Sequence, residues 1–453
     1  MKILKLIAKL VNIKALLLCA ALIFCCVNIF GQSITWQRTY DGVDHLSDGS
    51  FSACYADGDN IYVAGITTLL PNRRFIYVMK LNRFGDTIWT RTLTPNINSS
   101  SSRAEAITSC GDGGCVLTGS SNGSFTIKLD INGNIIWNHN YGGGLKQCYS
   151  IIKTSDGGYI ACGRDAECST DCAYILKVDS LGNIQWQQTY PAGYWKNFQS
   201  ITETNDLNGY IAVGFDIASI NDTSRGYIVK INNSGGIIWE RSYLIGQSTG
   251  FKTIIKHNDF YFIAGGSNNR LFFGKINEQG DTSSIKIFQT NSSEYFAGFN
   301  IINDNKFVMA SSKDSILTLN GHVFTFDSTG TIINDKLYLS EDVMNLYFTL
   351  PLSGGDILFG GSVDFDPVHT RNDIYVLRTD SLLNAPPPIG IINQNINIPL
   401  RFKLYQNFPN PFNPVTKIFY EIYKSTFIKL SIYSSRGQLI NILENSNKKS
   451  RNV

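Results

Sequence analysis

One segment of about 50 residues recurs roughly seven times along this chain, and that period points to a radial or stacked β repeat. The clearest copy reads SIIKTSDGGYIACG from Ser150 and continues as AYILKVDSLGNIQWQQTY to Tyr190. Each copy holds four short apolar runs between Gly, Asn and Asp turns. In the third copy, strand A is Tyr149–Lys153 and strand B is Tyr159–Cys162. Strand C is Ala173–Val178, and strand D is Asn183–Tyr190, centred on Trp186. The A–B link, Ser155-Asp156-Gly157-Gly158, is a hairpin turn in which glycine supplies positive φ.

The C–D signature can be followed around the chain. It reads Gly85-Asp-Thr-Ile-Trp89, Gly133-Asn-Ile-Ile-Trp137, Gly182-Asn-Ile-Gln-Trp186 and Gly235-Gly-Ile-Ile-Trp239. It decays at Gly280–Ser284 and Gly330–Asn334. A seventh A-B-C set runs from Leu346 to Asp380 and has no D strand after it. Ala385-Pro386-Pro387-Pro388 follows instead, and proline cannot donate to a ladder. The orphan is at the other end, where Ile34–Tyr40 matches Ile184–Tyr190 with no A-B-C set before it. The offset predicts a ring: Ile34–Tyr40 lies antiparallel to Ile374–Thr379 and completes the last blade. The expected fold is all-β, a seven-bladed β-propeller over residues 33–384, with units five and six degenerate. The tryptophans are expected at equivalent buried positions between blades.

The ends carry the address. Lys2, Lys5, Lys9 and Lys14 precede an apolar run, Ala15–Phe30, and Gly31 offers a cleavage point. Residues 1–31 read as a secretory signal peptide. A membrane anchor is the alternative, but the run is shorter than the ~20 residues of a span. Lipidation at Cys19, Cys25 or Cys26 lacks the small residue expected just before it. A net charge of +3 and no basic stripe give no support for nucleic acid as a partner.

Beyond the linker, 385–401, the tail 402–453 contains Phe402-Lys-Leu-Tyr405-Gln-Asn407-Phe-Pro409-Asn410-Pro411-Phe-Asn-Pro414. Its prolines rule out a helix; two alternating strands follow, with Gly437 at a turn. The motif Leu404–Pro414, with Lys417-Ile418, Tyr420, Ile432-Tyr433 and Gly437, closely resembles the type A C-terminal sorting domain of the Bacteroidetes type IX secretion system. The resemblance implies a small β-sandwich read by an outer-membrane export machine, a route through the periplasm, and release or attachment at the cell surface. The family's usual second half is absent. Asn445–Val453 is polar and lacks strand character, so the tail is expected to be a partial sandwich with the edges Ile418–Ile422 and Lys429–Tyr433 unpaired.

Candidate chemistry is sparse. The D–A and B–C links are long and varied, and binding groups favour such loops on a rigid scaffold. They place Arg73, Arg74, Asp165, Tyr194, Trp195, Asp366, His369 and Arg371 on one candidate ligand face; neutral loop drift is the bland alternative. Unit three holds Cys148, Cys162, Cys168 and Cys172. In an oxidising compartment disulfides outrank a thiolate metal site, and Cys168–Cys172 is the favoured pair. Cys110 and Cys115 are a second possible pair, and Cys54 reads as an apolar filler. Asp130-Ile-Asn132-Gly-Asn134 looks like the start of a calcium loop, but no acidic residue closes it. The Gly-Asn-Ile-x-Trp signature resembles the repeat of quinoprotein-like propellers, where the tryptophan packs between blades. The paired adjacent cysteines of that group's enzymes are missing from the repeats here, and no cofactor is expected. The five histidines are scattered, and no acid–base pair stands out. A non-catalytic binding or scaffold module for a protein or glycan ligand is therefore expected. An extracellular glycan-active enzyme or a quinoprotein-like oxidoreductase is the alternative.

Overall fold

The computed structural model describes residues 33–386 and 402–452, apart from short gaps, chiefly 43–46, 70–72, 340–342, 365–371, 405–406, 408–415, 423–425 and 435–438. Every regular element among the described residues is a β-strand. No helix there is long and apolar enough to cross a membrane. The signal-like segment lies outside the described residues. The chain divides into two compact units, Met1–Ile389 and Gly390–Val453.

In the first unit, five four-stranded antiparallel meanders follow one another, over residues 49–93, 103–140, 146–190, 195–243 and 249–287. The strands of 294–338 and 343–379 form two more, joined by a single parallel bridge between Leu319 and Val343. These seven segments are called units one to seven below. The fourth strand beside 343–379 is Trp36–Tyr40. It runs antiparallel to Asn372–Thr379, with Trp36 opposite Arg378 and Tyr40 opposite Ile374, as the orphan strand predicts.

Each A strand lies against the A strand of the next unit, and the last lies against the first. Further contacts join units one and seven: the Asp48 N–H donates to the Asn372 carbonyl at 2.6 Å, and the Ser50 hydroxyl to the Gly361 carbonyl at 3.0 Å. Strands B and C are almost wholly buried, and D carries exposed side chains. The core is therefore a chain of apolar clusters between neighbouring units, for example Tyr190, Phe198, Tyr210 and Tyr227.

The units are held together by a grip repeated along the D strands. Alternate residues Trp, Arg and Tyr face the next unit's C–D turn. Trp36, Trp89, Trp137 and Trp186 donate Nε1–H to the carbonyls of Arg83, Ile131, Ser180 and Asn233, the second residue of each turn. Tyr40, Tyr141, Tyr190 and Tyr243 donate their hydroxyls to the turn glycines Gly85, Gly182, Gly235 and Gly280. Between them, Arg38 pairs with Asp86 and Arg241 with Asp281. The turn glycine is required twice over at Gly85. Its φ is +79°, and a Cβ there would stand 2.9 Å from the Trp36 ring.

Two expectations need correction. Only Trp36 is buried; Trp89, Trp137, Trp186 and Trp239 are half-buried, because the D strand is the outermost of its sheet and one ring face meets water. Cys110 and Cys115 are unpaired buried thiols, spaced by a hairpin that sends both into the core; burial pushes both above the ordinary thiol range. Cys54 is buried, as expected of a filler.

The second unit holds two small sheets. Phe402–Leu404, Tyr420–Ile422 and Arg451–Asn452 form one, and Thr426–Tyr433 pairs with Leu439–Lys448 in the other. The polar end is thus a strand after all; Tyr420–Ile422 is paired on both sides, while Lys429–Tyr433 is paired on one side and keeps its other edge open. A ladder needs backbone donors and acceptors, not apolar side chains, so Asn445–Lys448 pairs with Thr426–Lys429 despite its composition. Phe427, Tyr433, Leu439 and Ile440 stay exposed.

Candidate functional site

Every A strand carries a β-bulge at the same level, near its start. A bulge leaves one residue unpaired and re-aims its side chain. The unpaired residues are Phe51, Glu105, Tyr149, Gln199, Lys252, Ala297 and Tyr347. Their cause is legible on strand B. Gly65, Gly119, Gly163, Gly214, Gly265 and Gly361 sit opposite the bulges, and a Cβ at any of them would fall about 2 Å from an A-strand carbonyl. In these six units the carbonyl comes so close that only glycine fits. Unit six differs: Ser311 takes the strand-B position, and Gly298 follows the bulge instead.

Side chains at this level meet across units. Phe51 packs edge-on against Tyr347 at 5.1 Å, and the Arg103 guanidinium sits 4.7 Å above the Phe51 ring. Arg103 pairs with Glu105 at 2.8 Å, and Lys252 reaches the Gln199 amide oxygen at 3.4 Å. Burial is the dominant influence here. It raises the Glu105 carboxyl against the pull of Arg103, pushes the Tyr149 hydroxyl up to about 12, and lowers the Lys252 ammonium. The level combines aromatic faces with charged and amide groups, which can bind a ligand by stacking and hydrogen bonding.

The residues expected on the long loops are scattered around this level. Arg73 is exposed, stacks on Phe75 and donates to the Ser99 carbonyl at 3.1 Å. Arg74 is exposed, and its carbonyl accepts the Ser102 N–H. Asp165 is buried, accepts the Glu167 N–H at 3.0 Å and pairs with Lys146, so it organises its own loop. Tyr194 is exposed. Trp195 is half-buried edge-on against Phe215, and its Nε1–H is buried without a partner. Arg164 pairs with Asp171 at 3.0 Å. Cys168 and Cys172 form the disulfide. Asp366, His369 and Arg371 lie outside the described residues, as do Tyr405, Pro409, Asn410, Pro411, Pro414 and Gly437. Asn407 donates to the Thr416 hydroxyl at 3.0 Å.

Among the described residues, no three potential metal ligands cluster. The Asp130 carboxylate is occupied by its own turn, accepting the N–H groups of Asn132 and Asn134, both at 2.8 Å. Asp179 does the same one unit later. A buried Ser311–His322–Glu294 group in unit six has the residue types of a hydrolytic triad without the geometry. Ser311 has no exposure and donates to Glu294 at 2.9 Å, and His322 bonds Glu294 and Asp335 through its two nitrogens.

No family model and no curated protein matches the sequence. Among solved structures, the fold is similar to the WD40 domain of Neurospora crassa Pan2. The TM-score is 0.51 at 10% identity, over 76% of this chain and 96% of that one. It is also similar to YCF48 bound to D1 peptide (TM-score 0.49, 10% identity, 77% and 96% covered) and to a protein of unknown function from Bacteroides caccae (0.41, 10%, 64% and 94%). The fold is that of a β-propeller. At such identity the likeness extends to the fold alone.

Proposed function

We propose that this protein is a secreted or cell-surface binding module. In this reading its seven units close into a ring, and the bulged side chains line the mouth of the axial channel. The observation that carries it is the repeated bulge: six of seven units present a long side chain at one level, on the face of the long loops. The cyclic order of A-strand contacts and the pairing of Trp36–Tyr40 with the last unit support the closed ring. The role is non-catalytic. What supports this is that, among the described residues, Glu105 at the mouth is paired with Arg103 and Asp171 with Arg164. The ligand is a protein segment or a glycan, for which aromatic stacking beside amide and charged groups is suited.

The resemblance of the tail to a type IX sorting domain supports export by that machinery, with the exposed Phe427, Tyr433 and Leu439 as its contact surface. Removing Phe402–Val453 should leave the propeller in the periplasm. The binding reading is tested by probing the full chain on peptide and oligosaccharide arrays beside a Tyr149→Ala/Tyr347→Ala variant. Hits should vanish in the variant. Identical hits on both proteins would place binding elsewhere and overturn the reading.

A further inference from the structure

The charges at the bulge level do not cancel. Arg103 pairs with Glu105 at 2.8 Å, and Arg164 with Asp171 at 3.0 Å. Lys252 has no such partner among the described residues. Its ammonium donates to the Gln199 amide oxygen at 3.4 Å, a long bond to a neutral group. Both residues are bulged, in the adjacent units four and five, so this contact holds the ammonium at the level itself. The Lys252 side chain is open to solvent. It is nevertheless so closely surrounded by protein that burial, with no neighbouring charge to oppose it, lowers the ammonium. Exposure together with desolvation describes a group facing a narrow, water-filled space rather than the outer surface.

A cation held out of bulk water without a partner is stabilised by an anion brought to it. The groups around Lys252 suit a peptide as the carrier of that anion. The Gln199 amide N–H donates to the Asn197 side-chain oxygen at 3.1 Å, and the Tyr149 hydroxyl donates to the Gln147 amide oxygen at 3.0 Å. This row of amide and hydroxyl groups matches the donors and acceptors of a peptide backbone. Across the mouth, the Phe51 ring is already engaged by Arg103 at 4.7 Å and by Tyr347 at 5.1 Å, which favours a peptide over a sugar ring seeking an open aromatic face. We propose that the mouth takes an acidic peptide, with one carboxylate of the peptide on Lys252 and its backbone on Gln147, Tyr149 and Gln199. This rests on the closed-ring reading above and adds to it the sign of the ligand's charge.

The test is fluorescence polarisation on the full chain with labelled hexaglutamate and its neutral isostere hexaglutamine. Hexaglutamate should bind about tenfold more tightly, the worth of one charge-assisted hydrogen bond. Lys252→Met should bring hexaglutamate to the level of hexaglutamine, and Lys252→Arg, which keeps the charge, should retain the difference. Unlabelled hexagalacturonate, a glycan of the same charge, should compete less well than unlabelled hexaglutamate. Four results would each overturn the proposal: no hexaglutamate binding at millimolar concentration, equal binding of the two peptides, unchanged binding by Lys252→Met, or stronger competition by the glycan. The binding-module reading fails separately, through identical array hits on the wild type and the Tyr149→Ala/Tyr347→Ala variant. Hits that the tyrosine variant loses and Lys252→Met keeps would sink the acidic-peptide proposal and leave that reading standing.

Discussion

Substituting Gly85 by alanine tests the grip at the junction between unit one and the strand Trp36–Tyr40, which pairs with the last strand of unit seven. Two costs arise. The residue has φ +79°, which an L side chain adopts at a cost of about 1–2 kcal/mol. The new Cβ would also lie 2.9 Å from two Trp36 ring atoms, which must move. Trp36 is 4% exposed and donates to the Arg83 carbonyl at 3.0 Å, and Tyr40 donates to the Gly85 carbonyl at 2.7 Å. Displacing the ring strains both bonds, each contributing about 1 kcal/mol, and adds an overpacking cost of about 1–3 kcal/mol. The total is about 4–7 kcal/mol. Gly157→Ala supplies the control: its φ is +83°, and nothing lies within 4 Å of its Cβ, so it carries the backbone cost alone. Urea unfolding followed by tryptophan fluorescence should place Gly85→Ala about 3–5 kcal/mol below Gly157→Ala. Equal losses for the two would mean that Trp36 bears no closing load, and the grip would be refuted at the junction where it matters most.

Deleting Ile34–Tyr40 should bare the edge of Asn372–Thr379 and produce oligomers in light scattering; a monomeric deletion would contradict the pairing seen there. Tyr190→Phe removes the donor to the Gly235 carbonyl and should cost about 1–2 kcal/mol in urea, whereas Phe288→Tyr, which restores the donor missing from the same position two junctions later, should not destabilise. Trp186→Ala should cost about 3 kcal/mol, the low end for a large aromatic, because the ring is only half-buried. Asp48 gives a pH signature. Burial pushes its carboxyl up to about 6, so the folded state holds a proton that the unfolded chain releases nearer pH 4. This stabilising contribution is full below the unfolded value and is lost as pH rises through about 6. Asp48→Asn should remove that part of the pH dependence, and an unchanged profile would show that the group does not titrate there.

The repeat was legible because its turns are chemically strict. Asn or Asp at the start of each C–D turn recurs in all seven units, with a glycine three residues later in the first six and Leu383 in the seventh, and following the repeat was enough to pair Trp36–Tyr40 with a strand more than 300 residues away in sequence. The mouth was harder to read. The bulged residues, Phe51, Glu105, Tyr149, Gln199, Lys252, Ala297 and Tyr347, share no residue type, so no pattern along strand A marks them. Its signal lay on the facing strand, in the glycine that ends each B run, as in VLTG, IACG and IAVG. That glycine reads at first as a strand terminator, when its role is to admit a neighbouring carbonyl. The same logic explains the tail. Asn445–Lys448 offers no apolar alternation, so pattern alone declines it, yet an exposed two-stranded ribbon asks only for backbone partners. Pattern reading therefore succeeds where a side chain must be buried or a turn must be tight. It fails where the backbone alone does the pairing, as in the Thr426–Tyr433 ribbon, and where one residue slips out of the ladder, as at the seven A-strand bulges.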